Sequence, residues 1–222
     1  MSVHPRNLPL FTVDPLEPRQ MLAAQVLGGE LQIIGTHKND NIRVYVNPRT
    51  PDQLEVIVNN TVERFFVAGL LSINLNAGQG NDRVVVEGAA PKYNLPTRLY
   101  GSGGNDTIFG GDGRDRIYGG SGNDSINGGR GGDVLYGEAG SDRMDGDIGN
   151  DYLYGGSGDD SLIGWDGTDY LLGQEGNDYI DSFDGFTDRV DGGTGSDRAT
   201  ADTILDQTFV SIEKFVANEQ EF

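Results

Sequence analysis

The sequence contains no cysteine, and its 16 lysine and arginine residues are outnumbered by 35 aspartate and glutamate residues. The absence of cysteine excludes a disulfide framework and thiolate metal sites. The formal net charge of −19 argues against nucleic acid as a partner, because nucleic-acid binding needs a basic surface. No apolar run approaches the roughly 20 residues of a membrane-spanning helix, so no membrane span is predicted.

Signals of catalysis are also lacking. His4 and His37 are the only histidines, and neither has a partner at metal-ligand spacing. The chain has neither an H-E-x-x-H motif nor a G-x-S-x-G motif. Asp159 and Asp160 could mimic the paired acids of a hydrolase, but the repeat described below accounts for them. The sequence therefore predicts a protein that is not an enzyme.

What the chain has in excess is glycine, at 35 residues, while apolar residues make up only 36%. A chain of this composition cannot rely on a thick hydrophobic core. A disordered acidic segment is one interpretation. Regularly spaced apolar residues argue against disorder and favour a fold that is stabilised by something other than apolar burial.

The glycines belong to a nine-residue unit that starts at Gly101 and recurs nine times without slippage. Its first and fourth places always hold glycine, its sixth place holds aspartate, and its eighth place holds an apolar residue. Two further copies follow, with Asp188 and Asp197 in the sixth place, and the first of them carries one extra residue. The second place departs from glycine in five units, at Ser102, Glu138, Asp147, Trp165 and Gln174.

This pattern, G-G-x-G-x-D-x-U-x with U apolar, resembles the RTX (haemolysin-type) calcium-binding repeat family over about half of the chain. The resemblance implies an all-β fold, a right-handed parallel β-roll stacked on calcium. Two units would form one 18-residue coil, and the residues x-U-x would form a three-residue strand that points U inward. It also implies that each ion lies between the turns of units n and n+2.

Calcium prefers six to eight oxygen ligands, which aspartates and closely approaching backbone carbonyls supply. The predicted metal-site residues are the sixth-place aspartates and the fourth-place glycines: Asp106, Asp115, Asp124, Asp133, Asp142, Asp151, Asp160, Asp169, Asp178, Asp188 and Asp197, with Gly104, Gly113, Gly122, Gly131, Gly140, Gly149, Gly158, Gly167 and Gly176.

The nine strict units predict seven complete sites, and Asp188 and Asp197 extend the expectation to about seven to nine Ca²⁺ ions. Without metal, aspartates stacked ~4.8 Å apart would repel by about 1 kcal/mol per pair. Folding of 101–200 is therefore expected to depend on calcium binding. Extracellular modules bind calcium at ~10⁻⁴–10⁻³ M, so the ion would drive folding outside the cell.

The other segments flank this β-roll. Residues 25–100 alternate with the period of β-strands and are expected to form an irregular N-terminal cap, either a continuation of the solenoid or a small β domain of its own. Two stretches within it, 35–42 and 78–84, look like degenerate copies of the repeat. Residues 201–222 lose the repeat and are expected to cap the other end, with Phe209, Ile212 and Phe215 as apolar cover.

Residues 1–24 are proline-rich and are expected to be a flexible leader or anchor rather than a folded element. Within them, Leu16-Glu17-Pro18-Arg19-Gln20-Met21-Leu22 resembles the LEPR-x-L-L motif near the start of planctomycete exported or surface proteins, with Met21 in place of a leucine. The resemblance implies an extracellular or cell-surface location. A chance match in a proline-rich tail is the alternative.

One outward face of the roll is predicted to be aromatic. The strands of even-numbered units share a sheet and carry outward tyrosines, with Tyr118, Tyr136 and Tyr154 in one column and Tyr152 and Tyr170 beside it. This face could dock a carbohydrate or a second protein surface. It could equally reflect strand propensity and stacking of the rings on one another. The sequence thus predicts a secreted, calcium-binding structural β-roll, with a calcium-dependent carbohydrate-binding or adhesion module as the alternative.

Overall fold

The computed structural model describes residues 23–87, 95–202, 208–210, 212 and 214–217. These residues form strands and turns, and none of them lies in a helix. The predicted motif at 16–22 lies outside the described residues, as does most of the predicted leader. The strands are β1 Ala23–Leu27, β2 Glu30–Ile34, β3 Asn41–Val46, β4 Gln53–Val58, β5 Thr61–Phe66, β6 Ser72–Gln79, β7 Arg83–Val86, β8 Thr97–Gly103, β9 Thr107–Asp112, β10 Arg116–Ser121, β11 Ser125–Arg130, β12 Val134–Ala139, β13 Arg143–Ile148, β14 Tyr152–Ser157, β15 Ser161–Asp166, β16 Tyr170–Glu175, β17 Tyr179–Ser182, β18 Arg189–Thr194, β19 Arg198–Ala201, β20 Thr208–Val210 and β21 Lys214–Ala217.

Successive repeat strands alternate between two parallel sheets. Sheet A has the order β1-β2-β6-β8-β10-β12-β14-β16-β18-β20, and sheet B has the order β21-β19-β17-β15-β13-β11-β9-β7-β3-β4-β5. Each repeat strand therefore pairs with the strand two units away, as in Ile117↔Leu135 and Ile126↔Met144. The parallel, coiled architecture predicted from the repeat is confirmed.

The interior of the roll is a double row of eighth-place side chains. All nine, from Ile108 to Ile180, have at most 1% of their surface exposed. They come alternately from the two sheets, so each coil contributes two apolar side chains to one continuous core. Full burial of such a side chain is worth about 1.5–3 kcal/mol, which is offset by the entropy of ordering the chain around it. The core is continuous but thin.

The predicted three-residue strand was wrong in length. Repeat strands such as β10 and β12 span six residues, because the first three places of the following unit continue the ladder. Gly120 pairs with Glu138 and Ser121 pairs with Ala139 in this added half. Only places four to six remain for the turn, so the turn is tight and brings its aspartate directly against the neighbouring coil.

Toward the N-terminus, the same two sheets continue below the regular repeat. In sheet A, β2 and β6 lie parallel to β8; in sheet B, β3 and β7 lie parallel to β9. Antiparallel strands then close both sheets: β1 pairs with β2, and β4 and β5 extend sheet B beyond β3. At the opposite end, β20 and β21 are the outermost strands, and Ile212 packs against the core. The division of the chain into segments at 24, 100 and 200 stays a prediction.

The second place of each unit has a left-handed backbone even where it is not glycine. The five departures noted in the sequence have φ between 64 and 80°. A side chain in this conformation costs roughly 1–2 kcal/mol. The left-handed backbone is therefore retained, with strain, at Ser102, Glu138, Asp147, Trp165 and Gln174.

Replacing Glu138 by glycine should relieve this strain. Glu138 has a φ of 75° and an exposed side chain, so Glu138→Gly is expected to raise the free energy of unfolding by about 1 kcal/mol. The matched control is Glu175→Gly, which also removes one exposed glutamate but at a residue without a positive φ, and which should be destabilising. Denaturant unfolding at fixed calcium measures both, and equal effects of the two substitutions would contradict the strain.

Candidate metal centre

The tight turns place the sixth-place aspartates in two rows, one along each edge of the roll. Each of these carboxylates is buried, with 0–3% of its residue surface exposed. Buried carboxylates are rare unless they are paired, hydrogen-bonded or bound to a metal. The first row consists of Asp106, Asp124, Asp142, Asp160, Asp178 and Asp197, and the second consists of Asp115, Asp133, Asp151, Asp169 and Asp188.

One carboxylate oxygen of each aspartate is used by the fold itself. The backbone N–H of Asp106 donates to Oδ1 of Asp124 over 2.7 Å, and the N–H of Asp124 donates to Oδ1 of Asp142 over the same distance. The second row repeats the contact, for instance from the Asp115 N–H to Asp133 at 2.8 Å. The pairing of units n and n+2 predicted from the family resemblance is therefore the pairing that the structure brings together.

At most of these positions, the second oxygen, Oδ2, accepts no hydrogen bond from the described residues. Within the described residues, a buried Oδ2 atom that accepts no hydrogen bond occurs at Asp82, Asp106, Asp115, Asp124, Asp133, Asp142, Asp151, Asp160, Asp169 and Asp178. A buried charged oxygen in this state is costly, by more than the ~1–3 kcal/mol of a neutral group. Because the cost of an unsatisfied buried oxygen recurs at each of these aspartates, a ligand that binds at each of them would offset it.

The surroundings of Oδ2 offer further oxygens. Oδ2 of Asp106 and the carbonyl oxygen of Gly119 lie 2.4 and 2.5 Å from the position that a Cβ atom of Gly101 would occupy. The same arrangement surrounds Gly137, with Asp142 and Gly155 at 2.4 Å each. Glycine in the first place thus keeps open a space that is lined by a carboxylate and a carbonyl. A hard cation such as Ca²⁺ fits this donor set.

The fourth-place glycines that were predicted as site residues are required by close stacking. A Cβ atom at Gly122 would lie 2.2 Å from the carbonyl oxygen of Gly104, and one at Gly131 would lie 1.4 Å from that of Gly113. These carbonyls therefore face the turn of the next coil. Their role as calcium ligands stays a prediction, as does that of the aspartates.

Burial also perturbs the acidity of both rows. Desolvation is the largest cause at every shifted aspartate of the rows, and it outweighs the hydrogen bond from the neighbouring backbone N–H. It raises the pKa of Asp115, Asp124 and Asp151 to about 7 and that of Asp133 to about 6. In the metal-free fold, the aspartates of both rows therefore bind protons more readily than exposed aspartates do. A bound cation would neutralise the carboxylates instead.

Asp82 joins the first row, although it was not among the predicted site residues. Its N–H donates to Asp106 over 2.7 Å, it is 3% exposed, and burial raises its pKa to about 6. The signal was present in the sequence, because residues 77–85 match the repeat with Ala77 in place of the first glycine. That stretch had been recognised only as a degenerate copy.

Asp40 shows how the first row ends. Its N–H donates to Asp82, which continues the stacking, but its own carboxylate is saturated by protein donors. Oδ2 accepts from the N–H and hydroxyl of Thr36 at 2.6 and 2.8 Å, and Oδ1 accepts from the Asn59 amide at 2.9 Å. In the second row, the neutral residue Thr97 stands at the corresponding end and donates its N–H to Asp115. At Asp40, hydrogen bonds from protein donors thus replace the partner that the Oδ2 atoms of the interior carboxylates lack.

The tyrosine column predicted on sheet A is present and longer than expected. Tyr100, Tyr118, Tyr136 and Tyr154 stack with ring centroids 4.8–4.9 Å apart and planes within 9° of parallel. The ring faces in this column are directed at one another, which leaves edges and hydroxyls outward. Tyr152 and Tyr170 lie beside it, tilted by 42°. Stacking accounts for the column, and docking of a carbohydrate or a protein on it stays a prediction.

Comparison with known protein families supports the calcium interpretation. Residues 97–126, 118–153 and 145–180 each match the model of the RTX calcium-binding nonapeptide repeat, which spans four copies. No curated protein matches the chain. Within the described residues, no helix is long and apolar enough to cross a membrane.

The raised pKa values of the aspartates predict how the metal-free protein responds to pH. A carboxyl whose folded pKa exceeds the ordinary 3.8 binds its proton more tightly in the fold, so protonation stabilises the fold fully below about 4. That stabilisation is lost as pH rises through the folded values of about 6 to 7. Metal-stripped protein should therefore show more β-sheet signal by circular dichroism at pH 5 than at pH 8.

Calcium affinity should increase from pH 5 to pH 8, whereas the metal-free β-sheet signal falls. The reason is that protons compete with the cation for the same carboxylates. Isothermal titration at pH 5 and pH 8 is expected to give weaker binding at the lower pH. A metal-free β-sheet signal that increases from pH 5 to pH 8 would contradict the burial of these charges.

Proposed function

We propose that this chain is a secreted structural β-roll whose folding is driven by Ca²⁺, because residues 97–180 match the RTX calcium-binding nonapeptide repeat. The family match and the stacked parallel coils support a calcium-binding structural role. The dependence of folding on the ion and the export of the chain are our proposals.

The observation that carries the proposal is the buried, unpartnered Oδ2 atom of each interior aspartate. In eight of the nine strict units, all except that of Asp169, this atom and a backbone carbonyl oxygen lie close to the same first-place glycine. These turns therefore bring acceptor oxygens together. Where the first row ends, at Asp40, protein donors satisfy both oxygens of the carboxylate. The interior positions therefore require an external cation to remove the cost of burial.

The charge balance agrees with this requirement. About seven to nine divalent ions would nearly neutralise the formal charge of −19. The Asp82–Asp106 pair adds one further position of the same kind. Since the apolar core is only two side chains per coil, the free energy of ion binding becomes a main part of the free energy of folding.

The proposed location follows from the concentration at which such sites fill. Repeats of this family are typical of secreted proteins, and extracellular calcium modules bind at ~10⁻⁴–10⁻³ M. Sites of this affinity stay largely unfilled at cytosolic calcium levels. We propose that the chain remains unfolded until it reaches the outside of the cell.

Calcium titration with a simultaneous structural measurement tests the coupling. Metal-stripped protein at pH 8 is expected to lack most of its β-sheet circular dichroism, and the signal should rise together with the heat of calcium binding. Magnesium serves as the control ion, because it prefers a smaller octahedral site and should induce less structure. A full β-sheet signal in excess chelator at this pH would refute calcium-driven folding.

Substitution of one interior aspartate tests the pairing of neighbouring turns. Asp142 contacts Asp124 on one side and Asp160 on the other, so Asp142→Asn should reduce the calcium stoichiometry by up to two ions. The control is Asp145→Asn, which removes the same charge from a surface ion pair with Arg143 and should leave the stoichiometry unchanged. Equilibrium dialysis measures both, and equal stoichiometries for the two variants would count against the shared ligand.

A further inference from the structure

The turn between β17 and β18 differs from the other turns of the roll. It spans six residues, 183–188, whereas the turn between β15 and β16 spans three, 167–169. Its unit carries one residue more than the strict repeat, and its third place holds Asp184. The longer turn is held in shape by hydrogen bonds: the N–H groups of Asp184 and Gly185 donate to Asp202 of the next coil, and the Phe186 N–H donates to Asp184.

This shape brings Asp184 to the second aspartate row. Ligand oxygens of Asp169, Asp184 and Asp188 all lie within 4.8 Å of one another. In the part of the chain that the structure describes, these three form the only group of three or more potential metal-ligating side chains. Elsewhere in the rows, two aspartates from successive coils meet.

The cluster also contains a buried oxygen that points to a ligand independently of the charge count. Asp169 is 2% exposed, and its Oδ2 accepts no hydrogen bond from the described residues. Its other oxygen, Oδ1, already accepts the N–H of Asp151 at 2.8 Å. Asp169 thus faces two carboxylates with an oxygen that the protein leaves unsatisfied.

The extra residue explains why Asp184 takes part while similar residues do not. Asp112 and Asp166 also stand in the third place of units along this edge, where they continue six-residue strands. Neither belongs to a group of three metal-ligating side chains within the described residues. At 182, the strand ends early, so that Asp184 lies in the turn instead of the ladder.

We propose that Asp169, Asp184 and Asp188 form a divalent-cation site that binds Ca²⁺ more tightly than the two-aspartate sites of the roll. The proposal rests on the proposed calcium binding and adds a ranking among the sites. A third carboxylate increases the negative charge around the ion, and affinity at oxygen sites rises with the charge of the ligands. The site fills first as calcium rises, and it favours trivalent lanthanides more strongly than the other sites do.

Calcium titration of the full chain in competition with a chromophoric chelator tests this ranking. Wild-type protein is expected to show one tight equivalent before the remaining ions bind. Asp184→Asn, in which the side-chain oxygen can still accept the Phe186 N–H, should weaken that equivalent by about tenfold or more and leave the others. Asp166→Asn removes the same charge from the third place of a regular unit, at the end of β15, and should leave the tight equivalent intact.

A second measurement does not depend on how the variants fold. Wild-type crystals grown with one equivalent of Tb³⁺ should give their strongest anomalous peak among Asp169, Asp184 and Asp188. A peak elsewhere, or a single class of sites with full calcium stoichiometry, would overturn the tight site and leave the proposed function standing. If wild-type protein bound no calcium at all, the proposed function would fail as well.

Discussion

Burial of negative charge is the constraint on which the whole roll depends. Each turn is so short that its aspartate must lie against the next coil, and each backbone N–H there claims one oxygen of the neighbouring carboxylate. The other oxygen is left buried and unsatisfied at the interior positions. A hydrophobic core of two side chains per coil offsets little of this cost. Stacking is therefore more favourable where a cation or a proton neutralises the rows. In the proposed function, calcium is the cation that does so.

At the N-terminal end of the roll, the rows end in a hydrogen-bonded carboxylate and in a neutral residue. Asp40 keeps the stacking contact with Asp82 but satisfies its carboxylate with Thr36 and Asn59, and Thr97 begins the second row as a neutral residue. Antiparallel strands then close the sheets beyond these residues. The first row thus changes from carboxylates with an unsatisfied oxygen to a fully hydrogen-bonded carboxylate at Asp40. In the opposite direction, the longer turn at 183–188 concentrates carboxylates instead of relieving them.

The repeat predicted the stacked geometry well because a strict period converts sequence position into spatial position. Once two units form a coil, residues 18 apart must stack, so the rows of aspartates, the buried eighth-place side chains and the column from Tyr118 to Tyr154 followed directly. The prediction failed where the repeat is imperfect, and where the sequence does not show which residues pair through backbone hydrogen bonds. Asp82 was missed because Ala77 replaces a glycine, and the strands are twice the expected length because the G-G-x residues also pair across coils.

The sequence by itself determined the fold class, the period, the ligand chemistry and the sign of the charge, since these depend only on residue types and their spacing. The tertiary structure decided which oxygen of each carboxylate is committed to the backbone and which is left unsatisfied. It decided that the tyrosine rings direct their faces at one another, and that an extra residue near 184 gathers three carboxylates. Those outcomes depend on distances between coils and on backbone conformation, which the order of residues along the chain does not specify.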